Sequence, residues 1–311
     1  SIKNGIDVIR IFDALNDPRN LEACIKATKK YGGICEVALS YTISPVHTEE
    51  YFVNLVLKLE KMGADNICIK DMANLLLPMD AYSLIKALKE SVSVPIHLHT
   101  HNTSGTGDMT LLMAAYAGVD IVDTALSPMA NGTAQPATES LVATLQGTVR
   151  DTGLDLGKMS DAAVHFRKIA QRLTTAGNLN PKVLNVDTNT LLYQVPGGML
   201  SNLIAQLKAQ KSIDRLDEVL SETPRVREDL GYPPSCPIVC LSIAPASKKF
   251  AGDLGHRDFL GSLMALGIKR QLLGDIQIVE GVGYLFCLEE IAPYLCENLI
   301  SVGRTTVHCE A

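Results

Sequence analysis

Five short runs rich in apolar and β-branched residues, each closing on polar side chains, recur along the first 130 residues. They are Asp7 to Asp13, Ile34 to Thr42, Asn66 to Asp71, Pro95 to His101 and Val119 to Thr124. Between them apolar residues fall at helical spacing. Asn20 to Lys30 follows the helix-start signal Asn16-Asp17-Pro18, Thr48-Glu49-Glu50 opens Tyr51 to Met62, and Met79 to Glu90 carries the same amphipathic pattern. Gly63 and Gly118 stand where helix C-terminal glycines belong. Alternating strand and helix signals predict parallel βα units, arranged either as an open doubly wound sheet or as a (β/α)8 barrel. No glycine-rich phosphate loop follows the first run, which argues against the dinucleotide-binding arrangement.

From about residue 136 to 231 the strand signal gives way to helical spacing, clearest in Asp161 to Leu173, Leu200 to Gln210 and Ile213 to Glu222. Gly231-Tyr232-Pro233-Pro234 punctuates the chain, and Ile238 to Ile243 predicts a strand with a new pattern behind it. The expected organisation is an α/β barrel part over 1–135, a helical extension over 136–235 and a small α+β domain over 236–311.

Composition narrows the function classes. A 311-residue chain with 47% hydrophobic and 20% charged residues has the apolar surface for a folded core, which excludes disorder. Its net charge of −6 discourages general attraction to nucleic acid or anionic lipid. No apolar run reaches the roughly 18 residues needed to span a bilayer, and no signal-peptide pattern opens the chain, so a cytoplasmic location is expected. The eight cysteines include no CxxC pair. Cys24, Cys35 and Cys68 lie in apolar stretches and are expected in the core as reduced thiols.

The sharpest chemical feature is His97-Leu98-His99-Thr100-His101. Side chains at i and i+2 of a strand share a face, so three imidazoles line up. Three buried rings would each need polar partners, whereas His99 and His101 at the strand's end suit a divalent metal; His97 lies deeper, as support or packing. Lys70 ends the apolar run Ile67-Cys68-Ile69 one strand earlier. Partial desolvation biases a lysine toward its neutral amine, which acts as a nucleophile or reacts with carbon dioxide. The resulting carbamate would bring an anionic oxygen to a metal site beside the two histidines. Asp13, ending the first run, either lines the site's mouth or caps the following turn. The loop Asn131-Gly132-Thr133-Ala134-Gln135-Pro136 either approaches a ligand, through Thr133 and Gln135, or is a plain turn.

Taken together, Phe12-Asp13-Ala14-Leu15-Asn16, Cys68-Ile69-Lys70-Asp71-Met72, His97 to Gly105, Gly132-Thr133-Ala134-Gln135-Pro136, Val186-Asp187-Thr188-Asn189 and Tyr193 to Leu203 resemble the biotin-dependent carboxyltransferase family. That family includes oxaloacetate decarboxylase alpha subunits and pyruvate carboxylase carboxyltransferase domains. The resemblance implies a TIM barrel, here strands four to eight, whose metal (Zn, Mn or Co) is held by a carboxylated lysine, two histidines and an aspartate. Lys70, which also takes the catalytic role, matches the lysine, and His99 and His101 match the histidines. The aspartate, on the family's first barrel strand, has no counterpart. The family's threonine beyond Gly-Tyr-Pro-Pro is replaced by Ser235-Cys236-Pro237.

The implied activity is carboxyl transfer on a 2-keto acid, either oxaloacetate decarboxylation or pyruvate carboxylation, with biotin on a separate carrier domain or protein. The implied location is cytoplasmic or peripheral to a membrane decarboxylase complex. A five-strand barrel part leaves open edges, which invite homodimers and make a poor catalyst by itself. The alternative enzyme is a biotin-independent, aldolase-like barrel with an HxH metal pair.

Beyond residue 236 the chain instead resembles the central domain of bacterial S4-type RNA-binding proteins, through Lys248-Lys249-Phe250-Ala251, His256 to Gly261, Leu266 to Arg270 and Gly274-Asp275-Ile276. The chain thus reads as two partial proteins joined. Six basic residues stand against eight acids in this segment, so RNA contact would rest on a local cluster of Lys248, Arg257 and Arg270.

Overall fold

Residues two apart on a strand share a face, and in the first unit this rule separates a greasy side from a charged one. The computed structural model describes residues 1–179, 185–195, 197–233, 238–246, 254–268, 273–279, 282–288, 291–303 and 305–310. The chain divides into two compact units, Ser1–Gly198 and Met199–Ala311.

In the first unit, β1 (Val8–Asp13), β2 (Ile34–Ser40), β3 (Asn66–Asp71), β4 (Ile96–Thr100) and β5 (Ile121–Val122) pair in chain order, all parallel. Ile11, Val37, Leu39, Ile67, Ile69, Ile96 and Leu98 face one way and form one core with Leu21 and Ile25 of α1 (Pro18–Lys30), Phe52 and Val56 of α2 (Glu49–Lys61), and Ile85 and Leu88 of α3 (Pro78–Ser91). Burying each such side chain is worth about 1.5–3 kcal/mol, and this stripe-on-sheet packing is what holds the unit together. Arg10, Phe12, Glu36, Cys68, Lys70, His97 and His99 occupy the alternate positions, on the opposite face.

The helices begin where the sequence signals them. Pro18 takes the first position of α1, and the Asp17 carboxylate accepts from Arg19 N at 2.9 Å; Thr48 Oγ1 accepts from Tyr51 N at 3.2 Å ahead of α2. The helix before Gly118, α4 (Gly107–Ala117), buries Leu111 together with Gly107, Thr110, Ala114 and Ala115, mostly small residues that permit close approach to α3. Gly118 ends α4 at φ +106°, its N–H donating to Ala114 O and Ala115 O. The fifth strand is shorter than the Val119 to Thr124 run predicts: pairing covers only Ile121–Val122, flanked by single backbone bonds from Asp120 N to Ile96 O and from Asp123 N to Leu98 O. Cys24 corrects the expectation of a core thiol. It is exposed on the solvent side of α1, away from the Leu21, Ile25 and Thr28 stripe, whereas Cys35 and Cys68 are buried.

Asp71, at the end of β3, is wholly buried and accepts from Leu75 N at 2.9 Å, Leu76 N at 3.0 Å and Thr100 Oγ1 at 2.9 Å. Burial pushes its carboxyl above the usual carboxylate range. It pins the loop after Lys70 to the strand that carries the histidines. The unit continues through α5 (Thr138–Leu145), α6 (Leu156–Thr175), which Asp155 caps, and α7 (Thr190–Tyr193). This is an α/β fold of consecutive parallel βα units, the expected partial (β/α)8 arrangement with a helical extension.

Of the second unit, α8 (Gly197–Ala209), starting at the division, and α9 (Leu216–Asp229) precede an antiparallel sheet. Its strands are β6 (Ile238–Pro245), β7 (Leu273–Val279), β8 (Val282–Leu288), β9 (Ser301–Val302) and β10 (Thr305–Glu310), in the order β7-β8-β6-β10-β9. With α10 (His256–Ala265) and α11 (Ala292–Asn298) they enclose a second core of Leu241, Ile243, Phe259, Leu263, Leu285 and Leu295. Arg257 is exposed on α10, while Lys248 and Arg270 lie outside the described residues, as does Ser235-Cys236-Pro237. No helix among the described residues is long and apolar enough to cross a membrane.

Candidate metal centre

The register sets the site. Lys70 is the Cα partner of His99 and Cys68 that of His97 across β3 and β4, so the lysine and the histidines rise from neighbouring strands on the same face. Both candidate ligand histidines are fixed through Nδ1. His99 Nδ1 donates to Asp123 Oδ2 at 2.7 Å, and His101 Nδ1 donates to the carbonyl of Thr133. A neutral imidazole that donates from Nδ1 keeps its lone pair on Nε2, which is how protein-held metal ligands are oriented. The two rings meet edge to face with centroids 5.2 Å apart.

Lys70 is half-buried, its ammonium 4.2 Å from the centre of the Phe12 ring and in contact with Met72 Sδ at 2.6 Å. Burial lowers its pKa, and Arg10 lowers it further. His101 is likewise biased toward the neutral ring, by burial first and then by His99 and Lys70. A depressed amine beside two imidazoles that each spend Nδ1 on a protein acceptor is a donor set that fits a divalent cation, and a carbamate on Lys70 would supply the negative charge those ligands lack.

Below this group lies a charge-balanced cluster that residue patterns alone do not reveal. Arg10 pairs with Glu36 through Nε and with Asp123 Oδ2 at 3.0 Å. His97 is held by carboxylates on both nitrogens, Nδ1 to Glu36 Oε2 at 2.7 Å and Nε2 to Asp123 Oδ1 at 2.9 Å. Burial alone would discharge His97, but the two carboxylates outweigh it and raise its pKa. Glu36 and Asp123 move the other way, held low against burial by His97 with Arg10, and for Asp123 by His99 as well. Two cations thus face two anions. Donor atoms of Glu36, Cys68 and His97 also lie within 4.8 Å of one another. Arg10 already neutralises Glu36 there, and burial pushes the Cys68 thiol up to about 12, so that trio belongs to the ion-pair cluster and offers a cation little. Glu36 and Asp123 are acids within apolar runs, and only the register across the strands shows that they share the face of His97.

Asp13 is committed to its own loop. Its carboxylate accepts from Leu15 N at 3.1 Å, Asp17 N at 2.8 Å and Asn20 Nδ2 at 3.1 Å. Thr133 meets His101 through its carbonyl, and Gln135 O accepts from Asn131 N at 2.8 Å, closing the loop in which Asn131 and Gly132 adopt positive φ. The Val186 to Asn189 motif lies over the same end of the sheet, where Asp187 N donates to Thr103 O at 2.8 Å and the neighbouring Thr190 Oγ1 donates to Ala73 O at 3.1 Å.

Residues 13–165 match the HMGL-like family, residues 190–239 the family described as "Conserved carboxylase domain", and residues 238–311 the family described as "Putative RNA-binding domain in YlmH". Among curated proteins, a pyruvate carboxylase subunit of Methanocaldococcus jannaschii is 54% identical over 232 residues, 75% of this chain and 41% of that protein. The methylmalonyl-CoA carboxyltransferase 5S subunit of Propionibacterium freudenreichii subsp. shermanii is 46% identical over 236 residues, again 75% of this chain and 46% of that protein. The carboxyl transferase domain of Rhizobium etli pyruvate carboxylase superposes with a TM-score of 0.70 at 35% identity, covering 75% of this chain and 40% of that one. The chain therefore spans less than half the length of these relatives.

Proposed function

Residues 1 to about 235 belong to the biotin-dependent carboxyltransferase family, and from that premise we propose that they serve metal-dependent, biotin-linked carboxyl transfer on a 2-keto acid, by oxaloacetate decarboxylation or pyruvate carboxylation. The observation that carries this reading is the pair His99 and His101, each with Nδ1 spent on a protein acceptor and Nε2 left for a ligand, beside the desolvated amine of Lys70. A divalent cation (zinc, manganese or cobalt) held by Lys70, His99 and His101 would stabilise negative charge developing on the keto oxygen. The chain's own part is to orient that cation and the acid. His99 and His101 give neutral nitrogen donors. Lys70 in its amine form can add to carbon dioxide, forming an N–C bond as one C=O π bond opens onto oxygen and one proton leaves nitrogen for solvent, and the carbamate oxygen would be the anionic ligand. Thr133 and Gln135, in the loop that seats His101, would line the keto acid, and biotin on a separate carrier domain or protein would bring or take the carboxyl group.

The test is metal stoichiometry of the full chain after cobalt loading, together with biotin-dependent oxaloacetate decarboxylation. One cobalt per chain, lost in His101→Ala, is expected. A chain that takes up no metal and shows no biotin-stimulated turnover overturns the reading. A biotin-independent aldolase-like reaction on the same HxH pair predicts metal uptake with turnover that biotin does not change.

For residues 238–311, the match to an RNA-binding family favours a second and separate role. We propose that this segment contacts RNA through Arg257 with Lys248 and Arg270. The segment's overall acidity makes any such contact local, weak and sensitive to salt.

A further inference from the structure

We propose that Asp123 is a positioning residue for His99, fixing the imidazole in the form that presents Nε2 as the ligand nitrogen. The inference deepens the reading above and rests on it for the identity of the ligand, while the geometry that supports it involves this chain's residues alone.

Asp123 Oδ2 accepts from His99 Nδ1 at 2.7 Å. An ionised carboxylate has no proton to offer, so the shared hydrogen belongs to Nδ1 and the lone pair is left on Nε2. The carboxylate is prevented from turning away. Its other oxygen is 2.9 Å from His97 Nε2, and Arg10 Nη1 reaches Oδ2 at 3.0 Å. Its backbone is fixed as well, because Asp123 N donates to Leu98 O at 3.1 Å, next in sequence to His99. Three contacts from two strands thus aim one acceptor at one ring nitrogen.

His101 provides an internal control. Its Nδ1 donates to the Thr133 carbonyl, a backbone acceptor that no side-chain substitution removes. A change at Asp123 acts on His99 and leaves His101 as it was. Outer acceptors of this kind commonly contribute about 10–100-fold to metal affinity when they orient a ligand.

The experiment uses the full chain labelled with nitrogen-15 histidine, without metal, to read each tautomer by two-bond proton–nitrogen correlation, followed by cobalt titration. Wild type should show His99 with its proton on Nδ1. In Asp123→Asn the His99 signal should move toward the Nε2–H form and cobalt affinity should fall about 10–100-fold, while His101 keeps its tautomer. Asp123→Glu should restore part of both. The proposal is overturned by a wild-type His99 protonated on Nε2, or by an Asp123→Asn chain that keeps the wild-type tautomer and binds cobalt within about twofold of wild type. If Asp123→Asn fails to fold, the wild-type tautomer decides. A wild type that binds no cobalt yet carries the Nδ1–H form overturns the metal reading of function and supports the role of Asp123.

Discussion

Lys70 and His99 sit directly opposite one another across the β3–β4 ladder, as Cα partners on adjacent parallel strands. The sheet itself therefore sets the lysine's distance from the first candidate ligand histidine, with no loop in between. Lys70→Ala should lose at least tenfold in cobalt affinity measured in bicarbonate buffer, and Lys70→Glu should recover part of it by bringing a carboxylate to the same place. Equal affinity in wild type and both variants would remove Lys70 from the site.

Gly107 is a second lever on the histidine strand's end. A Cβ there would stand 2.7 Å from His101 O and 2.8 Å from Asn102 Oδ1, both within the turn that leads out of β4. Gly107→Ala should cost about 1–3 kcal/mol by urea denaturation and weaken metal binding together with stability. An unchanged midpoint would show that the turn relaxes freely.

Removing the Asp71 carboxylate should leave the N–H groups of Leu75 and Leu76 buried without acceptors. Asp71→Ala is expected to destabilise the first unit by about 2–5 kcal/mol. Asp71→Asn, which keeps one acceptor oxygen, should cost less. Denaturation curves of the two variants against wild type check the order, and the reverse order would sink the account.

Acid should act through Asp65. Its carboxylate accepts from Cys35 N at 2.8 Å and pairs with Lys29, and these contacts outweigh partial burial to hold its pKa below the ordinary value. A depressed folded-state pKa means stability present above the unfolded-state value, near 4, and lost as pH falls through the folded one. Wild type should lose stability as pH falls below about 4 more steeply than Asp65→Asn. Parallel curves would show that Asp65 is not a source of the acid sensitivity.

The RNA reading makes its own demand. A Lys248→Glu, Arg257→Glu, Arg270→Glu triple variant should abolish low-salt retention of a structured RNA by the full chain and leave cobalt binding untouched. Retention that survives the triple variant, or that shows no dependence on salt in wild type, counts against it.

Much of the first unit was legible because β-branched runs and amphipathic helices repeat with little ambiguity. β3 runs over Asn66–Asp71 as expected, and α1 and α3 differ from expectation by a few terminal residues. The helix α4 was not written into the pattern, since Met109, Leu112, Met113 and Tyr116 make its outer face as apolar as its buried one and leave no stripe to read. The HxH pair and Lys70 could be picked out because each ends an apolar run. Glu36 and Asp123 could not, because an acid inside such a run signals a partner only when the register across five strands is known. The turn-capping role of Asp13 likewise emerged from the loop's hydrogen bonds, which residue type alone leaves open between two roles.

The alternation along β1 to β4 has a consequence for how this chain records change. Odd and even strand positions answer to different demands, one set to packing against helices and the other to charge pairing and ligand orientation. A saturation-mutagenesis profile scored separately for abundance and for metal retention should therefore oscillate with a period of two, and the two scores should run out of phase. Ile67, Ile69, Ile96 and Leu98 would appear as troughs in abundance, while Lys70 and His99 would appear as troughs in retention alone. The pleat of a single sheet would keep the inheritance of stability and the inheritance of chemistry on separate, interleaved registers of the same few codons.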